Sequence, residues 1–226
     1  MVFQYSLHIL RALGAEIEHR ECLVSELRDP VRVVAEQFAA DIGAEGSIVG
    51  WNAQFEANRN EEMADQVPEL AGFLRGLNDR IFDLMKIFRQ QLYVEPAFRG
   101  SCSIKDVLPV LVPSLSYKDL AIQEGGTASL TWYRMLTDGR EAAERATACN
   151  NLTAYCKLDT LAMVEVYQHL EKITYDPRRK PCGARPSKLA ASTAGLAVEI
   201  RTSGKAILSG IAMELTGLPR SRSLCA

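Results

Sequence analysis

The fold class is set by residues 47–56, whose sequence is Ser-Ile-Val-Gly-Trp-Asn-Ala-Gln-Phe-Glu. The apolar run 47–51 predicts a buried strand, and Asn52 closes it with a polar turn. The polar segment 57–66 then predicts a helix, which places Glu56 on a first turn where the helix dipole favours a carboxylate. Because ligands of open α/β sheets bind beyond the carboxyl ends of the strands, we expect Asn52 and Glu56 to face such a crevice. Taken alone, Glu56 is better explained as a charge that stabilises the helix end.

A second carboxylate, Asp159, interrupts the apolar face of a later helix. Apolar side chains that recur at spacings of three and four define this face: Leu152, Tyr155, Cys156, Met163, Val166 and Leu170. A buried and ionised carboxylate is costly unless it is hydrogen-bonded, paired with a cation or bound to a metal. Asp159 is therefore either a structural group that caps a neighbouring loop or a functional one, and this helix alone does not decide between them.

The remaining segments complete an α/β pattern. Apolar patterning predicts strands at 2–9 and 20–27, and residues 80–84 are predicted to be a short strand or the entry to a helix. A helix is predicted over 30–42, because Asp29 can cap its first turn and Pro30 suits its first position. Further helices are predicted at 70–78, 103–111 and 127–136, before the helix that carries Asp159.

Two short motifs resemble those of the DEDD superfamily of 3′-to-5′ exonucleases, which have a ribonuclease H-like fold. Their second motif is an Asn followed four residues later by an acid, as in Asn52 and Glu56. Their third, in the tyrosine (DEDDy) subtype, is a Tyr followed four residues later by Asp, as in Tyr155 and Asp159. Segments 100–109, 115–120 and 125–130 also resemble an uncharacterised bacterial family, a domain of unknown function found at the end of longer proteins. The resemblance covers about residues 2–170.

This resemblance implies a hydrolase that removes nucleotides from DNA or RNA with two Mg²⁺ or Mn²⁺ ions. Two such ions, roughly 3.5–4 Å apart, stabilise the attacking and leaving oxygens of a phosphodiester, and carboxylates are their natural ligands. Glu56 and Asp159 would be metal ligands and catalytic groups, and Tyr155 would be a catalytic residue that orients the attacking water.

Other residues would act around this centre. By the same resemblance, Asn52 and Phe55 are expected to bind the substrate. Asp83 and Lys105 are candidates to contact the metal ligands and so support the site, although for Asp83 a helix cap is the favoured role.

The chain departs from the exonuclease pattern in two ways. The acid of the second motif is Glu56, where the exonucleases usually have Asp. The first motif, Asp-x-Glu on a first strand, has no counterpart, because no acid precedes Glu16. Glu16 and Glu18 follow the predicted strand 2–9, at the hairpin before strand 20–27, and we do not expect them to substitute. The resulting prediction is a ribonuclease H-like mixed sheet flanked by helices, missing its first, central strand, with an incomplete site and little activity on its own.

Charge divides the chain near residue 170. Residues 1–170 are net acidic, whereas 171–226 contain ten Lys and Arg against four Asp and Glu. We therefore expect an exonuclease-like domain over 1–170 and a basic tail over 171–226. Rich in Gly, Ser and Ala, this tail is predicted to be disordered or loosely helical rather than to bind phosphate backbones.

Cysteine spacing and hydropathy argue against a disulfide-stabilised protein and against a membrane-spanning one. Six cysteines without a Cys-x-x-Cys pair favour reduced thiols and a cytoplasmic location, and no apolar run approaches the ~18 residues of a membrane span. The expected partners are nucleic acid and an absent N-terminal nuclease-like portion, with no membrane. Two alternatives stay open: a non-catalytic remnant that binds nucleic acid or protein, and a fragment of a misannotated open reading frame.

Overall fold

The computed structural model describes residues 1–174, apart from 12–14, 27 and 44, together with one strand at 205–209. Its strands are β1 Gln4–Leu10, β2 Glu18–Leu23, β3 Ile48–Gly50, β4 Ile81–Asp83 and β5 Lys205–Ser209. Its helices are α1 Pro30–Ile42, α2 Ala53–Gln66, α3 Ala71–Asn78, α4 Met85–Arg89, α5 Ile104–Leu111, α6 Gly125–Thr137 and α7 Ala142–Thr174. The protein is thus mixed α/β, as the sequence predicted.

The five strands form one mixed sheet with the order β2-β1-β5-β3-β4. β1 is antiparallel to both β2 and β5. β3 is parallel to β4 and β5. The centre of the sheet is therefore the strand that comes last in the chain.

β5 corrects the expectation that the central strand is missing. β1 and β3 each have an edge whose backbone N–H and C=O groups need partners, and Lys205–Ser209 supplies them to both. Five residues of the expected basic tail are thus a strand rather than disordered or loosely helical, and the sheet crosses the expected boundary at residue 170. The rest of that expectation, over 175–204 and 210–226, lies outside the described residues.

Helices cover both faces of the sheet. α1 begins where predicted, because the Asp29 carboxylate accepts hydrogen bonds from the amides of Val31 and Arg32. One apolar core packs α1, α2 and α3 against the odd-numbered side chains of β1: Tyr5, Leu7 and Ile9. A second core lies under α5, α6 and α7. Since successive strand residues point to opposite faces, these are the two sides of one sheet.

The even-numbered side chains of β1 are polar and buried against α7. Gln4 donates to the backbone oxygen of Leu152, 3.3 Å away. Thr160 Oγ1 is 2.8 Å from Ser6 Oγ and 2.7 Å from His8 Nδ1. A buried polar group left without a hydrogen bond would cost about 1–3 kcal/mol of folding free energy. These bonds therefore fix the position of α7 on the sheet.

His8 should make folding stability depend on pH. Its burial, with smaller effects from His19 and Lys157, lowers its pKa from 6.5 to about 4. Between these values the unfolded chain binds a proton that the folded protein does not, so stability is lost as pH falls through this window, by about 3 kcal/mol in all. In urea unfolding, His8→Gln should flatten this loss between pH 7 and pH ~4.5 relative to the unmodified protein.

The matched control is His169→Gln, in a partly buried histidine of α7 outside this network. This variant should keep the pH dependence of the unfolding free energy, because His8 is unchanged. An equal slope in the unmodified protein and His8→Gln would contradict the assignment to His8.

Candidate functional site

Asp159 lies on α7 and accepts a hydrogen bond from a tyrosine of a distant segment. The Tyr117 hydroxyl donates to Asp159 Oδ1 over 2.6 Å, from the connection between α5 and α6. Tyr155 lies one helical turn before Asp159, and its hydroxyl helps to lower the pKa of that carboxylate. Lys105 of α5 is the nearby cation, with its Nζ 6.0 Å from the centre of the Tyr117 ring. The predicted alignment of Tyr155 and Asp159 on one helix face is therefore found.

The surroundings of Asp159 bring its pKa close to neutral pH, where the charged and the protonated carboxyl are both populated. Burial raises its pKa from 3.8 to about 6, against the hydrogen bond from Tyr117, the charge of Lys105 and the hydrogen bond from Tyr155. Burial and the charge of Asp159 raise the pKa of both tyrosines, so their hydroxyls stay protonated and act as donors. Asp159 is thus a satisfied hydrogen-bond acceptor whose charge is easily lost.

Glu56 occupies the first turn of α2, as predicted, and is buried. Gly50 at the end of β3 makes room for it: a Cβ there would lie 3.2 Å from Glu56 Cγ. Asn52 is the N-cap residue of α2, but its side chain makes no capping hydrogen bond. The strand-to-helix turn therefore delivers both groups of the second motif at the carboxyl end of β3.

Carboxylates of both motifs influence the buried thiol of Cys156. Its pKa is raised mainly by burial, then by the charge of Asp159, and also by the charges of Glu56 and Glu21. Both carboxylates therefore act on one buried thiol, although their residues are about a hundred positions apart in the chain. Sharing of one cation by Glu56 and Asp159 stays a prediction.

The metal-ligating side chains of the described residues do not form a site for two metal ions. Within the part of the chain that the structure describes, no three His, Cys, Asp or Glu side chains are grouped as metal ligands. The central strand is where the resemblance places Asp-x-Glu, and its sequence, Lys-Ala-Ile-Leu-Ser, contains no acid. Glu56 and Asp159 are two carboxylates where a pair of ions requires more.

The other predicted site residues, Phe55, Asp83 and Lys105, lie on three different elements. Phe55 is 37% exposed, and the Arg59 guanidinium lies 5.4 Å from its ring centre. Asp83 is buried at the end of β4 and pairs with Arg89 at 3.4 Å, so its observed partner is a cation and not the Asp159 cluster. Lys105, by contrast, lies where it was expected, beside Asp159.

Tyr117 is the site residue that the sequence did not single out. It belongs to a connection without helical or strand periodicity, so no local pattern marks it as a partner of Asp159. Segment 115–120 was noted only for its family resemblance.

In the described region no helix has the length and apolar character of a membrane span. Its cysteines, Cys22, Cys102, Cys149 and Cys156, form no disulfide.

Tyr117→Phe should shift the titration of Asp159. Loss of this donor should raise the Asp159 pKa above about 6, because the hydroxyl is one of the groups that lower it. At pH 7.5 the variant should lose about 1–2 kcal/mol of unfolding free energy, since a bond to a charged acceptor is removed. Carboxyl-carbon NMR and urea unfolding measure the two effects.

Tyr133→Phe, in a partly buried tyrosine of α6, is the control and should change neither quantity. An unaltered Asp159 pKa in Tyr117→Phe would contradict the hydrogen bond.

Comparison with known proteins finds a distant relative and a family model that matches part of the chain. The uncharacterized protein UU173 of Ureaplasma parvum serovar 3 is 27% identical over 188 residues, which are 74% of this chain and 27% of that protein. The chain thus spans about a quarter of the length of this curated relative. No solved structure matches it. Residues 1–103 match a family model described as a domain of unknown function (DUF2779), in agreement with that part of the resemblance.

Proposed function

We propose that this chain is a ribonuclease H-like, exonuclease-like domain that binds single-stranded nucleic acid and holds part of a metal-dependent phosphodiesterase site. The observation that carries the proposal is the place of Glu56, which is buried on the first turn of α2 directly after β3, the neighbour of the central strand β5. Asp159, of the other motif that resembles the exonuclease pattern, lies on α7, which contacts β1 and β5 of the same sheet.

The sheet supports the same proposal. The resemblance requires a strand in the middle of the sheet, and β5 occupies this position between β1 and β3. Glu56 follows β3, the parallel neighbour of that strand. A site built from Glu56, Asp159 and a central strand is therefore compatible with the topology.

The absence of the Asp-x-Glu acids determines the activity that we expect from the isolated chain. β5 brings no carboxylate to the centre of the sheet, so the transition-state charge would lack its main stabiliser. We therefore propose that the isolated chain binds strands and hydrolyses them poorly, and that the remaining ligands come from another polypeptide segment.

A non-catalytic binding remnant is the second candidate, and the surroundings of Asp159 favour it. The Tyr117 hydroxyl already donates to this carboxylate, so Asp159 does not need a metal to be stable in the fold. The two candidates differ in whether added acids restore hydrolysis.

Hydrolysis is tested with 5′-labelled single-stranded DNA and RNA in MnCl₂. The isolated chain should degrade them at least ~100-fold more slowly than a chain that ends before residue 205 and is joined to an upstream Asp-x-Glu strand, which can then take the central position of β5. Loss of a transition-state stabiliser costs about this factor or more. In the joined chain, Asp159→Asn and Glu56→Gln should abolish the gain. Asp119→Asn, in an exposed acid near Tyr117, should not.

Joined chains that stay inactive support the binding remnant. Robust Mn²⁺-dependent degradation by the isolated chain, lost in Asp159→Ala, would contradict the incomplete site. Glu16, Glu18 or a second copy of the chain would then have to complete it.

Strand binding has its own test at Phe55. An exposed aromatic ring backed by the Arg59 guanidinium can stack on a nucleic-acid base. Phe55→Ala should weaken binding of a fluorescent single strand by about tenfold in anisotropy titrations, in line with about 1–3 kcal/mol per stacked base. The control is Leu130→Ala, which removes an exposed apolar side chain from α6. Equal affinities of Phe55→Ala and the unmodified chain would remove Phe55 from the binding surface.

A further inference from the structure

A cavity of about 320 Å³ lies at the carboxyl ends of the parallel strands β3 and β4. Its volume is in the range of small-molecule sites, roughly 300–1,000 Å³. Its polar lining comes from the start of α2, the ends of α3 and β4, and α4: Asn52, Gln54, Asn78, Asp83, Lys86 and Arg89. Glu56, Tyr155 and Asp159 do not line it, so this cavity is separate from the proposed metal site.

The rim of the cavity is positively charged. Lys86 and Arg89 are both exposed, and Lys86 has no ion pair within the described residues. The amides of Phe55 and Glu56 bond back to the Asn52 oxygen, and the first turn of α2 presents Ala53 to the cavity without a side-chain cap. The start of a 14-residue helix and two cations together favour an anion.

The carboxylate of Asp83 points to a ligand that is more than a simple anion. Asp83 is 5% exposed and lines the cavity. Oδ2 meets Arg89, whereas Oδ1 has no hydrogen-bond partner within the described part of the protein. A buried acceptor without a donor costs about 1–3 kcal/mol, so an incoming O–H or N–H group would be stabilised there. A bare divalent cation fits poorly, because Lys86 and Arg89 would repel it.

We infer that this cavity binds a phosphate monoester that also carries hydroxyl or amine donors, of the nucleoside monophosphate class. The phosphate lies against the start of α2, Lys86 and Arg89. A sugar hydroxyl or base amine of the same molecule donates to Asp83. Free mononucleotides and the phosphorylated end of a strand share this chemistry. The inference does not depend on the proposed hydrolysis, because it uses neither the metal ligands nor Tyr155.

The test is a titration of the full chain with inorganic phosphate and with adenosine 5′-monophosphate, followed by amide NMR and calorimetry. Both should shift the amides of Ala53, Gln54 and Lys86, and the nucleotide should bind more tightly. Lys86→Gln should weaken both by roughly tenfold, the size of one charge-assisted hydrogen bond. Lys172→Gln, in an exposed lysine on the last turn of α7, should weaken neither.

Asp83→Asn separates the two parts of the site. With one negative charge removed, inorganic phosphate should bind equally well or more tightly, while the preference for the nucleotide over phosphate should fall. A 5′-phosphorylated oligonucleotide that binds more tightly than the mononucleotide identifies the strand end as the source, and the reverse order identifies the free nucleotide.

Absence of amide shifts around the cavity, or equal losses in Lys86→Gln and Lys172→Gln, would overturn the inference. Neither result bears on strand hydrolysis, which is measured separately with Asp159→Asn.

Discussion

The contact between α7 and β1, centred on Thr160, is the constraint on which the rest of the structure depends. A single hydroxyl lies within hydrogen-bonding distance of Ser6 and His8, and all three residues are buried. Dispersion and apolar burial would hold a helix against the sheet in many positions, whereas these bonds permit one. The position of Asp159 follows directly, because it is the residue next to Thr160.

The same helix therefore serves stability and the candidate site at once. Burial lowers the pKa of His8, on β1, and raises the pKa of Asp159, on α7. As the pH falls, the first shift decreases the stability of the fold and the second increases it. Between pH ~6 and ~4, protonation of Asp159 in the folded state offsets part of the stability that His8 loses. Tyr117 adds a further constraint, because its hydroxyl ties the α5–α6 connection to Asp159.

Asn52 is the point where the two polar regions of the molecule meet. It follows the last residues of β3, precedes the turn that carries Glu56, and lines the cavity beside Asp83. One strand-to-helix turn thus supplies a buried carboxylate on one side and an anion-favouring helix start on the other. The physical cause is the parallel arrangement of β3 and β4, which brings both carboxyl ends to one edge.

The sequence by itself determined the local elements and the places of the acids within them. Periodicity gave α1, the strand before Asn52 and the position of Tyr155 one turn before Asp159, because these depend on residues within a few positions of each other. Only the tertiary structure decided that Lys205–Ser209 fills the centre of the sheet, since two unpaired strand edges can be satisfied by any compatible segment of the chain. It also decided that Tyr117 bonds Asp159 across 42 positions, and that Asp83 faces a cationic cavity instead of supporting Asp159. No periodic pattern encodes such pairs, because their energy comes from burial and from hydrogen bonds between distant segments.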